Sequence, residues 1–242
     1  RFVAASPVGR WIGGGLGELS ASGAADLKLA LAIPLADPAQ TGVRGSVTLG
    51  GNDLRIRPGT PLLANARGRV DFTQRGFAVV GASARTLGGD LSFEGGSQPD
   101  GSLRFSGQGT ASAEALRRAT ELGPLPAIAS QLRGQASYRV ALGVVQGWPE
   151  LSVSSDLVGL ESEWPAPLAK PAAAAWPLRW QTALLPGSLR NGETPRDQLR
   201  LDLGSVLQAR LVRDLSGDSA RITGGAVGVL EPAPAAPDSG LQ

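Results

Sequence analysis

Acidic, basic and hydroxyl side chains are the only groups in this chain that could carry out chemistry. The 242 residues include no His, no Cys and no Met. His is the commonest general base and metal ligand, and Cys supplies thiolate nucleophiles and ligands for zinc and iron–sulfur clusters. Their absence excludes Ser-His and Cys-His nucleophiles, disulfides and metal–thiolate centres, so Asp, Glu, Lys, Tyr, Ser and Thr remain as candidate catalytic groups.

Three groupings of the remaining residues could suggest catalysis. The carboxylates of Glu161 and Glu163 could suit a glycosidase. However, any two residues at positions i and i+2 of a strand lie on the same face about 6.5–7 Å apart, so such pairs are common by chance. A Ser-Lys dyad would need Lys28 or Lys170, and Lys28 lies on the polar side of an alternating segment, where a solvated lysine is expected. The Gly-rich run 13–17 lacks the preceding strand and following Lys-Ser/Thr of a phosphate loop. We therefore expect no enzyme activity, no cofactor and no metal.

The charge balance argues against nucleic acid as a partner. The chain has 23 basic and 21 acidic residues, a net charge of +2 and a sequence pI near 9.6. With no His or Cys, almost nothing titrates between about pH 5 and 9 except the α-amino group. The small net positive charge therefore persists to high pH, and this raises the pI. The clustered positive charge of a nucleic-acid-binding protein is therefore not indicated.

Strict alternation of apolar and polar residues dominates the chain. In residues 25–35 every odd position is apolar, which predicts a strand with one apolar face. Shorter alternating segments recur about every 10 residues between Gly, Pro, Asn and Asp, and the count is roughly 13 to 15 strands. Because no helices separate them, the fold class is predicted to be all-β, a long antiparallel meander. The run Gly50–Asp53 predicts a hairpin turn.

One helical segment interrupts the strands. Ser112 is a suitable N-cap, and Gly123-Pro124 ends the helical pattern, with Ile128 and Leu132 expected on a second short turn. We therefore divide the chain into a first part of the sheet (1–111), one or two short helices (112–132), a second part of the sheet (133–230) and a Pro/Ala-rich tail or linker (231–242).

A sheet of this size must curl or fold over. At about 4.8 Å per strand, some 14 strands extend about 65 Å. One alternative is a filled sandwich or barrel, which periodicity alone favours. The other is a sheet curled into an open trough, whose apolar wall fits an acyl chain. The candidate lining residues are Leu27, Leu29, Leu31, Ile33, Val47, Leu49, Val70, Phe72, Val140, Leu142, Leu151, Val153, Leu199, Leu201 and Leu203.

The stretch Ser155–Pro171 is the most distinctive in the sequence. It resembles the segment S-D-L-x-G-L followed by L-P-x-P-L-x-K in YhdP-type proteins of the AsmA-like family. The matching positions are Ser155, Asp156, Leu157, Gly159, Leu160, Pro165, Pro167, Leu168 and Lys170. Trp164 stands where that pattern has Leu, and Ala169 stands where it has Gly. Further elements that resemble the family are the segment 1–35, Gly45-Ser46-Val47, residues 68–72, Leu87-Gly88-Gly89-Asp90 and residues 132–138.

The resemblance implies a function as well as a fold. Proteins of that family are bacterial envelope proteins that form long curled sheets with an apolar groove, and they are implicated in phospholipid transport. The chain is thus expected to be a periplasmic segment of a bridge between the inner and outer membranes, with phospholipid acyl chains as its partners. Because it begins at Arg1 and lacks Met, we expect a fragment with its inner-membrane anchor upstream, and contact with the outer membrane is a further expectation. The alternative is a non-catalytic structural or interaction module.

Overall fold

The computed structural model describes residues 19–32, 42–57, 59–145, 147–188, 194–217, 220–231 and 240–241. They form one open sheet of 15 strands that does not close into a barrel, which confirms the predicted all-β antiparallel meander and the open form that the family resemblance implies. The strands are β1 (Ser20–Ala21), β2 (Ala25–Ala32), β3 (Gly42–Arg55), β4 (Leu63–Thr73), β5 (Gly76–Thr86), β6 (Gly89–Ser97), β7 (Leu103–Ser112), β8 (Leu132–Val145), β9 (Trp148–Ser155), β10 (Leu160–Ser162), β11 (Leu178–Leu184), β12 (Arg196–Leu203), β13 (Leu207–Asp214), β14 (Arg221–Val229) and β15 (Gly240–Leu241).

Strand order in space follows strand order in sequence. β1 and β2 both pair with β3, and from β3 to β9 each strand pairs with the next. β11 to β15 continue the sheet from β9, while the short β10 pairs with the beginning of β8. All pairs are antiparallel except β14 with β15, which is parallel. Most of the connections are short, which explains this order, because antiparallel neighbours need only a tight turn.

The register places the apolar residues of successive strands on a single face. Leu27 of β2 lies opposite Val47 of β3, which lies opposite Val70 of β4. Farther along the sheet, Val140 of β8 lies opposite Val153 of β9, which lies opposite Trp180 of β11. Because residues two apart on a strand share a face, this pairing makes one continuous surface, which we call the apolar face.

The described residues do not form a filled sandwich. None of their large side chains is fully buried, and most of the buried apolar positions are alanines. Leu27, Leu29 and Leu31 on the outermost long strand are 45%, 54% and 55% exposed. A sheet folded onto a second sheet would bury such leucines in a common core. The open alternative is therefore the one observed.

Two short helices connect β7 to β8. They are α1 (Ala113–Arg118) and α2 (Leu125–Ala129), with a 3₁₀ turn at Thr120–Leu122 between them. The Ser112 hydroxyl accepts a hydrogen bond from the Ala115 backbone N–H, which confirms it as the N-cap. Ala113 packs in a small cluster with Ala136 and Leu160 at this end of the sheet. In the described part of the chain, neither helix has the length and apolar character needed to cross a membrane.

Three local predictions were wrong. β3 runs straight through Gly50–Asp53 without a hairpin, because the extra residues are absorbed as irregularities in its pairing with β4. The Asn52 side chain is folded into this bend and donates to the carbonyls of Ser22 and Ala24. Leu132 begins β8 and is not part of a helical turn. Gly240–Leu241, predicted as tail, pairs with β14, whereas 232–239 and 242 lie outside the described residues.

Candidate functional site

The apolar face brings together fourteen of the fifteen predicted lining residues. Starting from β2, the register aligns the odd residues of β2 and β3 with the even residues of β4, and the same face continues across β5–β9, β11 and β12. The residues on it are Leu27, Leu29, Leu31, Val47, Leu49, Val70, Phe72, Val140, Leu142, Leu151, Val153, Leu199, Leu201 and Leu203. Ile33 lies outside the described residues.

Sequence reasoning missed several members of this face. Phe105 lies opposite Leu142, Trp180 lies opposite Val153 and Leu201, and Tyr138 lies opposite Gly109. Each of these aromatic residues lies on the same face as a predicted lining residue of its own strand or of the adjacent strand. Alternation within those segments could have identified them. Burial raises the pKa of the Tyr138 hydroxyl above its ordinary value.

Glycines on the apolar face accommodate the rings of neighbouring strands. A Cβ on Gly45 would lie 2.9 Å from Cε2 of Phe72, and one on Gly109 would lie 3.0 Å from the Tyr138 hydroxyl oxygen. The aromatic rings therefore cover positions that have no side chain of their own. The apolar surface therefore continues across these glycine positions.

The opposite face of the sheet is polar. Arg69 and Asp71 of β4 form an exposed ion pair with a 2.7 Å distance between Nη2 and Oδ2. Arg210 of β13 reaches Asp202 of β12 across the strand pair, with Nη2 2.6 Å from Oδ1. Lys28 lies between Leu27 and Leu29 and opposite Ser46, so it belongs to this polar face as predicted. The sheet is thus amphipathic through most of its length.

The family-motif segment is a folded connection between β9 and β11. The Ser155 hydroxyl donates to the Ser137 carbonyl and accepts from the Leu157 N–H, which fixes the end of β9. The Asp156 carboxylate accepts from the Val158 N–H. Leu157 and Gly159 have φ values of 54° and 91°, so the chain turns sharply before Leu160 begins β10. These positions hold the turn in place.

The buried side chain of Lys170 holds this connection together. Its side-chain ammonium donates to the carbonyl oxygens of Leu157, Leu160 and Pro171, at 2.8, 2.7 and 3.1 Å from Nζ. The residue is only 3% exposed. Burial lowers the pKa of Lys170 from its ordinary value, and the charge of Asp156 opposes that shift. A lysine that uses its three N–H donors on backbone carbonyls acts as a structural crosslink within the segment.

The remaining motif residues shape the end of the same connection. The Leu168 N–H donates to the Pro165 carbonyl, and the bond between Ala166 and Pro167 is cis. Trp164, which departs from the family pattern, donates its indole N–H to the Ile128 carbonyl and so ties this turn to α2. Of the two carboxylates considered above, Glu163 forms an ion pair with Arg133 at 3.0 Å, and Glu161 is exposed.

The comparisons with known proteins agree with the motif. A search of curated proteins and a search of solved structures each found no match. A family profile described as "YhdP protein" matches residues 1–242, which is the whole chain. This is a family of bacterial envelope proteins related to lipid transport. The match extends far beyond the segment 155–171 and includes the strands that build the apolar face, and on this ground the chain belongs to the YhdP family.

Proposed function

We propose that the chain is a segment of a lipid-transfer bridge whose apolar face shields phospholipid acyl chains between the inner and outer membranes. The observation that carries the proposal is the single apolar face extending from β2 to β14, on which Leu27, Leu29 and Leu31 are about half exposed and, among the described residues, have no second layer packed on them. Contiguous exposed apolar residues of this kind mark sites of interaction with apolar partners.

The energetics of lipid movement support this use of the face. Burial of an acyl chain contributes about 0.8 kcal/mol per CH₂. A phospholipid with about 30 methylenes that leaves a membrane unshielded therefore faces a barrier of roughly 25 kcal/mol. A continuous apolar surface beside the chains removes most of that barrier. The acyl chains themselves are held about equally well along the face, since neighbouring strands present similar rows of apolar residues.

The proposed function needs no catalytic residue and no cofactor. Shielding acyl chains depends on surface area and continuity, and neither requires a nucleophile or a general base. We therefore propose that the protein is not an enzyme. Family membership places it in the bacterial envelope, and we further propose that this segment lies in the periplasm, held by an inner-membrane anchor upstream.

Site-specific photocrosslinking in living cells tests the proposal. A photoreactive amino acid is placed at Leu29, Leu49, Val140 or Leu201 of the protein as the cell makes it, and the captured lipid is identified by mass spectrometry. Lys28 and Ala141, which neighbour these sites on the polar face, serve as matched controls. We expect phospholipid at the four apolar positions and little at the controls. Equal capture on both faces, or none at the apolar positions, would contradict the proposal and favour a structural module.

A further inference from the structure

Among the described residues, one pair of charged side chains lies on the apolar face. Asp197 of β12 lies opposite Arg213 of β13. Two residues farther along the strand pair, Leu199 lies opposite Leu211 on the same face. Along the paired residues from β2 to β14, leaving aside the irregular end of β3, no other charged side chain described in the structure lies on this face. The pair sits where β12 begins and β13 ends, which is one rim of the sheet.

The two side chains hold each other in a bidentate ion pair. The Nε and Nη2 atoms of Arg213 donate to Oδ1 and Oδ2 of Asp197, at 2.9 and 2.5 Å. The Asp197 side chain is only 7% exposed, whereas that of Arg213 is 21% exposed. A guanidinium has five N–H donors, so three are left over after this pair forms. Among the described residues, none of the hydrogen bonds observed uses them.

The ion pair is a costly feature if its role is only structural. Replacing a buried pair with apolar residues of similar size is often neutral or stabilising, because two charges no longer need to be desolvated. The strands around it already supply Leu199 and Leu211, which would pack with apolar neighbours. The arrangement instead fixes a guanidinium in place, with its remaining donors beside an apolar surface.

We propose that Arg213, positioned by Asp197, binds the phosphate of a phospholipid headgroup at this rim while the acyl chains lie along Leu199, Leu201 and Leu211. Arginine is suited to phosphate because its planar donors match the phosphate oxygens and make strong charge-assisted hydrogen bonds. From Asp197 to Leu203 the strand extends about 20 Å, which gives the chains of the same lipid an apolar surface to follow. This inference rests on the proposed function, and it adds a headgroup site to it.

A second ion pair on the same two strands supplies the matched control. Arg210 and Asp202 have the same residue types and join the same strands, but they lie on the polar face, and the Arg210 side chain is 22% exposed. If any exposed arginine on these strands favoured phosphate, Arg210 would do so as well. We assign the effect to Arg213, because of these two arginines it is Arg213 that lies beside the apolar surface.

The test separates headgroup recognition from chain shielding. The protein carries a photoreactive amino acid at Leu201 and is incubated with detergent-dispersed phosphatidylglycerol or diacylglycerol with the same acyl chains, which differ in the phosphate headgroup. We expect capture of phosphatidylglycerol to exceed that of diacylglycerol by about tenfold, the effect of one hydrogen bond to a charged group. The double variant Asp197→Asn with Arg213→Gln, which leaves no unpaired buried charge, should remove this preference. Arg210→Gln should retain it.

Each outcome points to one conclusion. Loss of the preference in the double variant but not in Arg210→Gln supports the headgroup site. A preference that survives in the double variant overturns the site, while continued capture at Leu201 leaves the proposed function standing. Capture of neither lipid at Leu201 overturns both. Arg213→Lys provides a second variant with its charge retained, and because it loses the bidentate geometry it should show an intermediate preference.

Discussion

Phe77 and Phe105 lie on strands β5 and β7, yet their ring centroids are 6.1 Å apart across the intervening strand β6. Gly95 of β6 makes this contact possible. A Cβ at Gly95 would lie 2.7 Å from Cδ1 of Phe105 and 2.2 Å from the Arg104 carbonyl oxygen. The absence of a side chain on one strand thus lets aromatic rings from the two flanking strands meet and close the apolar face.

Replacement of Gly95 by Val should therefore destabilise the sheet. The φ of Gly95 is 150°, which residues with a side chain rarely adopt, and the new Cβ would clash with backbone atoms that cannot move freely. We expect a loss of about 2–4 kcal/mol in the free energy of unfolding, measured by urea denaturation. Gly143→Val on the polar face is the control, because its nearest contacts would be 3.9–4.0 Å. A similar loss in both variants would contradict this account.

Alternation made the apolar face predictable from the sequence. Leu27, Val47 and Val140 could be assigned to one face because the side-chain period of a strand is two residues and neighbouring strands pair in register. Periodicity alone favours a filled sandwich or barrel, whereas the structure has an open sheet. The filled sandwich and the open sheet are built from the same alternation of apolar and polar residues. The half-exposed side chains of Leu29 and its neighbours distinguish the open sheet from the filled one.

Features that depend on contacts between distant segments could not be predicted. The run Gly50–Asp53 has the composition of a hairpin turn, but Asn52 finds acceptors about thirty residues earlier, at Ser22 and Ala24, and the strand continues through it. Asp197 has the correct phase to lie on the apolar face, yet its pairing with Arg213 depends on the register of β12 and β13. The position of Lys170 likewise depends on how the segment 155–171 folds back on itself.

Removal of the Lys170 ammonium should destabilise the family-motif segment. Lys170→Met keeps most of the side-chain volume but leaves the carbonyls of Leu157, Leu160 and Pro171 without their donor. We expect the free energy of unfolding to fall by about 2–4 kcal/mol, measured by chemical denaturation. The control, Lys28→Met, removes the other lysine from an exposed position on β2 and should change stability by less than about 0.5 kcal/mol. Equal effects would show that Lys170 is not the crosslink described above.

A charge placed on the apolar face should interfere with lipid association. Leu142→Glu puts a carboxylate among Phe105, Leu151 and their neighbours, where an acyl chain would have to desolvate it. Ala141→Glu adds the same charge one residue away on the polar face, where Ala141 is exposed. We expect Leu142→Glu to lower capture of phospholipid at a photoreactive residue 201 several-fold and Ala141→Glu to leave it unchanged. Circular dichroism confirms that both variants are folded, and equal capture by the two would count against the apolar face as the lipid path.

Thr86 and Thr182 offer the sharpest comparison of hydrogen bonding on this face. Both are threonines on the apolar face, 8% and 7% exposed. The Thr182 hydroxyl oxygen accepts a hydrogen bond from the Leu151 N–H at 3.1 Å. Within the described residues, the buried Thr86 hydroxyl oxygen has no hydrogen-bond partner. A hydrogen bond therefore offsets the cost of burying the hydroxyl at Thr182 but not at Thr86.

The Thr→Val substitution, which keeps the shape of the side chain, should change stability in opposite directions at these two sites. At Thr86 it removes a buried polar atom without a partner, so we expect the free energy of unfolding to rise by about 1 kcal/mol. At Thr182 it leaves the Leu151 N–H without its acceptor, so we expect a fall of about 1–2 kcal/mol. Urea denaturation of both variants beside the parent protein measures the difference. If Thr86→Val destabilises the protein as much as Thr182→Val does, the Thr86 hydroxyl must have a partner, and the apolar face would be polar at that point.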